Sequence, residues 1–144
     1  MTRRRTSDQG SSTLELAVLS TGLLLVVSAV IGIGRIQIAS HGVEEAARAA
    51  AREASIARTA SEARTNAISA ASTTLNDQGL TCQGTSVEVD LSDFAKAAGT
   101  RGTVTAHVSC NVLLSDLMLP VLPGRMEIDA QVDSPIDTYR ETSR

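Results

Sequence analysis

Residues 16–34, LAVLSTGLLLVVSAVIGIG, form a run of 19 positions without a charged side chain, between Glu15 and Arg35. An α-helix rises about 1.5 Å per residue, so this run as a helix is about 28 Å long, close to the ~30 Å hydrocarbon core of a bilayer. A chain of 144 residues has little else against which to bury such an all-round apolar surface. We therefore predict that a helix over these residues is inserted in a membrane.

The residues before this run, MTRRRTSDQG at 1–10, carry three consecutive arginines, Arg3 to Arg5. Short basic flanks favour the cytoplasmic side of a membrane, so we expect a cytoplasmic N-terminus and an extracytoplasmic C-terminal part. An ordinary cleaved secretory signal is the competing interpretation. Its apolar region is usually about 7–15 residues, and here the run is longer and the nearest small-residue site, Ile38-Ala39-Ser40, is poor.

The overall composition excludes several classes of protein. The formal net charge is −3, and Phe94 and Tyr139 are the only aromatic residues. The chain has neither the net positive charge nor the aromatic surface that nucleic-acid binding uses, so we expect no nucleic-acid partner. After the apolar run, the length leaves room for one small domain.

Helical composition continues beyond the apolar run to Leu75, with His41-Gly42 as the one weak point. Glu44 and Arg48, and likewise Arg58 and Glu62, are spaced as ion pairs on an exposed helix face. Small apolar side chains also recur at helical spacing, at Val43, Ala46, Ala47, Ala50, Ala54 and Ala57, and then at Ile56, Ala60, Ala63, Ala67, Ala71 and Leu75. We predict one long helix that ends near Asn76-Asp77-Gln78-Gly79.

Beyond Gly79 the period of the apolar residues changes from 3.6 to 2. Apolar and polar residues alternate over 87–91, 104–112 and 126–132, which predicts three half-buried strands. Pro120 and Pro123-Gly124 separate the second strand from the third. The predicted fold is therefore α+β, with a long N-terminal helix followed by a small antiparallel sheet of about three strands over 79–134 and a polar tail over 135–144.

Cys82 and Cys110 both lie on the predicted outer side of the membrane, where disulfides persist. A bond between them closes 29 residues and stabilises the fold by at most about 3.6 kcal/mol. Two free thiols are one alternative. A zinc site with His41 and His107 is another, which we disfavour because His107 falls on the polar positions of its strand, opposite Cys110, and His41 lies beside the membrane. We expect no metal.

The sequence contains no nucleophile elbow, phosphate loop or pair of catalytic carboxylates. Gly32-Ile33-Gly34 is too short for a dinucleotide fingerprint, and Glu88, Asp90 and Asp93 fit a solvated strand edge. We therefore predict neither catalytic residues nor a cofactor. An enzyme tethered by the helix is the weakest of the functional hypotheses.

Glu15 is the most informative single residue. A carboxylate at the mouth of an apolar helix is costly, which by default suggests a functional role. The simpler alternative is that Glu15 stays solvated and only marks the membrane boundary.

The stretch Gly10-Ser11-Ser12-Thr13-Leu14-Glu15-Leu16-Ala17 resembles the processing site of type IV prepilins. Together with Gly34-Arg35 and with AARAAAR at 46–52, it resembles more narrowly the TadE family of small pilin-like proteins from tight-adherence (Flp-type) pilus systems. The resemblance covers about the first third of the chain. Leu16, where family members often carry an aromatic residue, and the length of the chain distinguish it from a major Flp pilin.

The resemblance implies a pilin-like fold and a minor pilin or pseudopilin that is needed for pilus assembly or initiation. A membrane-embedded prepilin peptidase would cut after Gly10, release the leader 1–10 and make Ser11 the new N-terminus. Residues 11–38 would then be the transmembrane and assembly helix, and 39–78 its soluble continuation.

Cleavage would place the Ser11 α-ammonium one helical turn from the Glu15 carboxylate. In a bundle of staggered parallel helices, Glu15 of one subunit can meet the Ser11 amine of another, and removing one partner of such a desolvated pair typically costs about 3–5 kcal/mol. Ser28 and Gly32, spaced as small-xxx-small, would permit close approach of the helices.

The expected partners are the prepilin peptidase, other pilin subunits through the N-terminal helix, the pilus assembly platform and the lipid bilayer. The alternative function is an uncleaved single-pass membrane protein that presents a small extracytoplasmic binding domain.

Overall fold

The computed structural model describes the backbone of residues 9–96, 99–115 and 124–136, and the side chains among them from residue 13 onward. The elements in chain order are α1 (Gln9–Ile56), α2 (Ala60–Asp77), β1 (Cys82–Asp90), a 3-10 turn (Ser92–Ala95), β2 (Thr103–Leu113) and β3 (Arg125–Pro135). The predicted α+β class is confirmed. Most of the predicted leader, Pro120, Pro123 and most of the polar tail lie outside the described residues.

The chain divides into two compact units after Arg35. In the first unit, the described part is the N-terminal portion of α1, which contains the whole uncharged run. The second unit begins at Ile36 and contains the remainder of α1, α2 and the three strands.

The prediction of a single helix up to Leu75 is wrong. The helix α1 passes through Gly42 without interruption and ends at Ile56, and α2 begins three residues later. Thr59, in an extended conformation, caps α2 by accepting a 3.2 Å hydrogen bond from the backbone N–H of Glu62. The Glu62 carboxylate in turn accepts from the backbone N–H of Arg58 at 3.2 Å.

The first of these hydrogen bonds satisfies an N–H group that a helix start leaves open, and the second fixes the residue before the cap, so together they stabilise a break at this point over one continuous helix. Arg58 and Glu62 therefore do not form the predicted ion pair on a single helix. The other predicted pair is confirmed, because Arg48 Nη2 lies 2.5 Å from Glu44 Oε1 on α1.

Small residues from both helices form much of the core of the second unit. Most of the predicted positions on α1, between the helices and on α2 are buried: Val43, Ala46, Ala47, Ala50, Ala54, Ala57, Ala63, Ala67, Ala71 and Leu75. Ile56 and Ala60, also predicted to be apolar contacts, are exposed because they flank the break. A core with so many alanines requires close approach of the backbones.

The three predicted strands are confirmed, and they form one antiparallel sheet in the order β1-β2-β3. Val108 of the central strand pairs with Val87 on one side and with Ala130 on the other. The inner face of β2 is fully or almost fully buried, at Val104, Ala106, Val108, Cys110 and Val112. The alternating side chains of β2 form part of the outer face.

Two contacts between distant parts of the sequence complete the second unit. The Ser134 hydroxyl on β3 donates a 3.2 Å hydrogen bond to the hydroxyl of Ser55 on α1, which is 5% exposed. Gly42 of α1 packs against Leu80, just after α2, so closely that a Cβ on Gly42 would lie 2.7 Å from Leu80 Cδ1. The residue that the sequence suggested as a weak point of the helix is thus a packing position.

Candidate assembly segment and disulfide-bonded domain

The uncharged part of α1 presents apolar side chains around its whole circumference. Its large side chains are between 46% and 72% exposed, at Leu16, Val18, Leu19, Leu23, Leu24, Leu25, Val26, Val27, Val30, Ile31 and Ile33. Exposed apolar surface of this extent is unfavourable in water and favourable in lipid. By length and composition, α1 is a candidate membrane span, which agrees with a single-pass membrane protein.

The hydroxyl groups within this run are satisfied inside the helix. Ser20 and Thr21 both donate to the carbonyl of Ala17, each at 2.9 Å, and Ser28 donates to the carbonyl of Leu24 at 2.8 Å. A polar group without a hydrogen-bond partner is costly in hydrocarbon. These internal hydrogen bonds therefore make the segment compatible with a lipid environment. Ser28, one of the predicted close-approach positions, keeps its small side chain folded against its own helix.

Glu15 lies on α1 with its side chain exposed, directly before the uncharged run. Gly10 and Ser11 belong to the first turn of the same helix, and the side chain of Ser11 lies outside the described residues. Ser11 and Glu15 are four positions apart in the sequence, so they lie on one helix face about 6 Å apart along the axis. A helix that began at Ser11 would have its amino group and its open N–H groups within one turn of this carboxylate.

Cys82 and Cys110 form a disulfide with a Cα–Cα distance of 5.3 Å. Cys110 is buried at the centre of β2, and Cys82 begins β1 at an irregularity of the strand pairing between Cys82 and Thr85. The bond therefore fixes the start of the sheet to its central strand, at the point where regular pairing is interrupted. Because both sulfurs are used in this bond, neither is a thiolate that could bind zinc.

The two histidines lie on different elements. His107 is on the outer face of β2, as the alternation predicted, with Nε2 3.6 Å from Asp129 Oδ2. His41 is exposed on α1, with Nδ1 3.9 Å from Glu44 Oε2. Each thus has a carboxylate neighbour on its own surface.

Asp93, interpreted from the sequence as part of a solvated strand edge, has a structural role. Its Oδ1 lies 2.8 Å from Lys96 Nζ, and its Oδ2 accepts a 2.9 Å hydrogen bond from the backbone N–H of Thr103. The hydrogen-bonded Lys96 ammonium first, and the Thr103 N–H second, lower the pKa of Asp93 below its ordinary value of 3.8. The carboxylate thereby holds the 3-10 turn against the start of β2.

Sequence reasoning missed two local features of this unit. The pattern Thr59-Ala60-Ser61-Glu62 is a capping box, S/T-x-x-E, and it was a readable signal for the start of α2. The packing of Gly42 against Leu80 had no local signal, because the two residues are brought together only by the turn after α2.

Comparison with protein families gives a match to TadE-like proteins over residues 10–52. The matched segment begins at the predicted cleavage glycine and covers the apolar run and the alanine-rich part of α1. No curated protein and no solved structure matches the chain. The N-terminal part of this chain is thus TadE-like, which confirms the family resemblance on which the functional expectations rest.

Proposed function

We propose that this protein is a minor pilin or pseudopilin of a Tad (Flp-type) pilus, processed after Gly10 by a prepilin peptidase and needed for pilus assembly or initiation. The observation that carries the proposal is the TadE-like segment at 10–52, which starts at this glycine. The function is structural: the apolar helix mediates packing, and the disulfide-bonded domain forms the outer surface.

The chemistry of the N-terminal segment supports this assignment. Removal of residues 1–10 takes away Arg3, Arg4, Arg5 and Asp8, so the mature chain loses a net charge of +2 and gains an ammonium group at Ser11. Within an apolar bundle, that ammonium and the Glu15 carboxylate each require a counter-charge. Pairing between neighbouring subunits meets both requirements at one stagger of the helices, and so favours ordered assembly.

The charge distribution also supports one orientation. The arginine cluster precedes the apolar run, so the leader would stay at the cytoplasmic face while the disulfide-bonded domain is extracytoplasmic. In this arrangement the partners are the prepilin peptidase and assembly platform in the membrane, and other pilin subunits along the helix.

The decisive experiment is N-terminal sequencing, together with intact-mass measurement, of the protein purified from its native envelope. We expect a chain that begins at Ser11 and lacks ten residues. A chain that still begins at Met1 or Thr2 would contradict processing. It would support instead an uncleaved single-pass protein that presents a small extracytoplasmic binding domain.

A further inference from the structure

The outer face of the sheet is strongly acidic. The register of the strands brings five carboxylates to this surface, which we call the sheet face: Glu88, Asp90, Glu127, Asp129 and Asp133. Within the described strands, Arg125 at the beginning of β3 is the one Lys or Arg side chain that alternation assigns to this face. Carboxylates on the two edge strands flank the central strand from both sides, an arrangement that favours a cationic partner.

Only part of the acceptor capacity of the sheet face is used within the chain. Asp133 accepts a 2.7 Å hydrogen bond from the Thr105 hydroxyl, and Asp90 accepts from the backbone N–H of Ser92 at 2.9 Å. Asp129 has His107 as a neighbour at 3.6 Å. Among the described residues, no Lys or Arg forms an ion pair with any of the five carboxylates.

Ser109 provides a second, independent observation at the centre of the sheet face. Alternation along β2 puts it on the same side as His107, and it pairs with Ser86 and Asp129 on the two neighbouring strands. It is only 7% exposed, and in the part of the chain that the structure describes its hydroxyl makes no hydrogen bond. A buried hydroxyl without a hydrogen-bond partner is unfavourable. A polar group of a docked molecule could supply the missing partner.

A complementary surface lies at the break between the helices. Arg52, Ile56, Arg58 and Arg64, which we call the junction surface, are all exposed, and Ile56 is 63% exposed. None of the three guanidinium groups forms an ion pair with another described residue. Arginine is enriched at protein–protein hot spots, so three exposed arginines that lack an ion-pair partner among the described residues are suited to bind carboxylates of another chain.

We propose that the sheet face of one copy of this chain binds the junction surface of a second copy. Guanidinium groups would pair with the carboxylates, and the hydroxyl of Ser109 would accept an additional N–H beside Asp129. Because the two surfaces differ, the contact is heterologous and can repeat from copy to copy without closing. The contact uses neither Ser11 nor Glu15, so it goes beyond the proposed function and does not depend on leader removal.

The test is capture between two differently tagged full-length copies in detergent at low salt. One variant reverses the sheet face (Glu127→Lys with Asp129→Lys), and another reverses the junction surface (Arg52→Glu with Arg58→Glu). We expect self-capture of each variant to be about tenfold weaker than self-capture of the wild-type chain. Mixing the two variants should restore capture, because the unchanged junction surface of one meets the unchanged sheet face of the other, and the two reversed surfaces are again opposite in charge.

The matched control changes the same net charge away from the sheet face, with Glu45→Lys and Asp77→Lys. This control should capture itself as the wild type does, and should also capture the junction variant, because its own junction surface and the variant's sheet face are both unchanged. Unchanged self-capture by either reversal variant, or no restoration on mixing, would overturn the proposal. So would an absence of wild-type self-capture, or a control whose self-capture falls as far as that of the sheet-face variant.

Folding of each variant is checked by formation of the Cys82–Cys110 disulfide on non-reducing gels. Where a reversal prevents folding, the neutral pair Glu127→Gln and Asp129→Asn replaces it, with an expected loss of capture of about threefold. Capture that is unaffected by the neutral pair would also contradict the proposed contact. N-terminal sequencing remains a separate test, since failure of processing leaves both surfaces in place.

Discussion

Gly42 of α1 lies directly against Leu80, and a Cβ added at Gly42 would stand 2.7 Å from Leu80 Cδ1 and 3.4 Å from the Cβ of Gln78. The missing side chain lets the turn after α2 pack onto α1. This contact joins two segments that are nearly forty residues apart in sequence.

We expect Gly42→Ala to lower the free energy of unfolding of the second unit by about 1 kcal/mol net, because Leu80 Cδ1, at the end of a flexible side chain, must move aside, while the preference of alanine for helix offsets part of this cost. Chemical denaturation of the full chain in detergent, followed by circular dichroism, measures the change. Gly34→Ala is the matched control, since a Cβ there meets nothing within 4 Å. Equal stability of Gly42→Ala and the wild type would show that the Gly42–Leu80 contact is adaptable.

The start of α2 depends on the Thr59 side chain, which accepts the N–H of Glu62. Thr59→Ala removes this cap and should cost about 1 kcal/mol of stability, within a usual range of about 0.5–2 kcal/mol. Thr65→Ala, also exposed on α2, keeps the cap and should be neutral or slightly stabilising because alanine favours helix. The same denaturation assay compares the two variants, and similar losses in both would rule out a specific capping effect.

The Cys82–Cys110 bond crosses the irregular part of the β1–β2 pairing, with a sequence separation of 28. We expect reduction, or the double change Cys82→Ser with Cys110→Ser, to destabilise the domain by up to about 3.6 kcal/mol, since the open chain gains entropy on unfolding. Unfolding with and without reductant measures this effect. A chain that unfolds at the same denaturant concentration in both conditions would contradict it.

Asp93 should make the stability depend on acid pH. Its pKa is lowered in the folded state by Lys96 first and by the Thr103 N–H second, so its contribution is fully present above its ordinary value of 3.8 and is lost as the pH falls through the lower folded pKa. Asp93→Asn should therefore be less stable than the wild type at pH 6, and the difference should shrink below about pH 4.

Denaturation curves at a series of pH values would measure that difference. Asp77→Asn serves as the control, because it changes an exposed carboxylate at the end of α2. A constant difference between Asp93→Asn and wild type from pH 6 to pH 2 would show that the effect of the substitution is not one of charge.

Glu15→Ala separates its proposed assembly role from the simpler role of a membrane-boundary residue. We expect leader removal to remain largely intact while incorporation into fibres or pilus complexes falls, because the Ser11 ammonium loses its counter-charge. Immunoblotting of sheared pilus fractions, with the processed protein in membranes as the reference, measures incorporation. Normal incorporation of this variant would show that Glu15 only marks the membrane boundary.

Much of the architecture was predictable because it depends on local periodicity. The uncharged run at 16–34, the alanine positions of α1 and the three alternating segments follow from which side chains must face lipid or the core. The prediction failed at 57–59. There, good helix-forming composition on both sides concealed the capping interaction of Thr59 with Glu62, which stabilises a break.

By itself, the sequence determined most of the helical and strand segments, the candidate membrane span and the TadE-like N-terminal part, because these depend on residues close together in the chain. Tertiary structure alone decided the strand order, the packing of Gly42 against Leu80, the burial of Ser109 and the gathering of carboxylates on one sheet face. The physical reason is that these features arise from contacts between residues far apart in sequence. Such contacts depend on strand register and on close backbone approach, which no local pattern specifies.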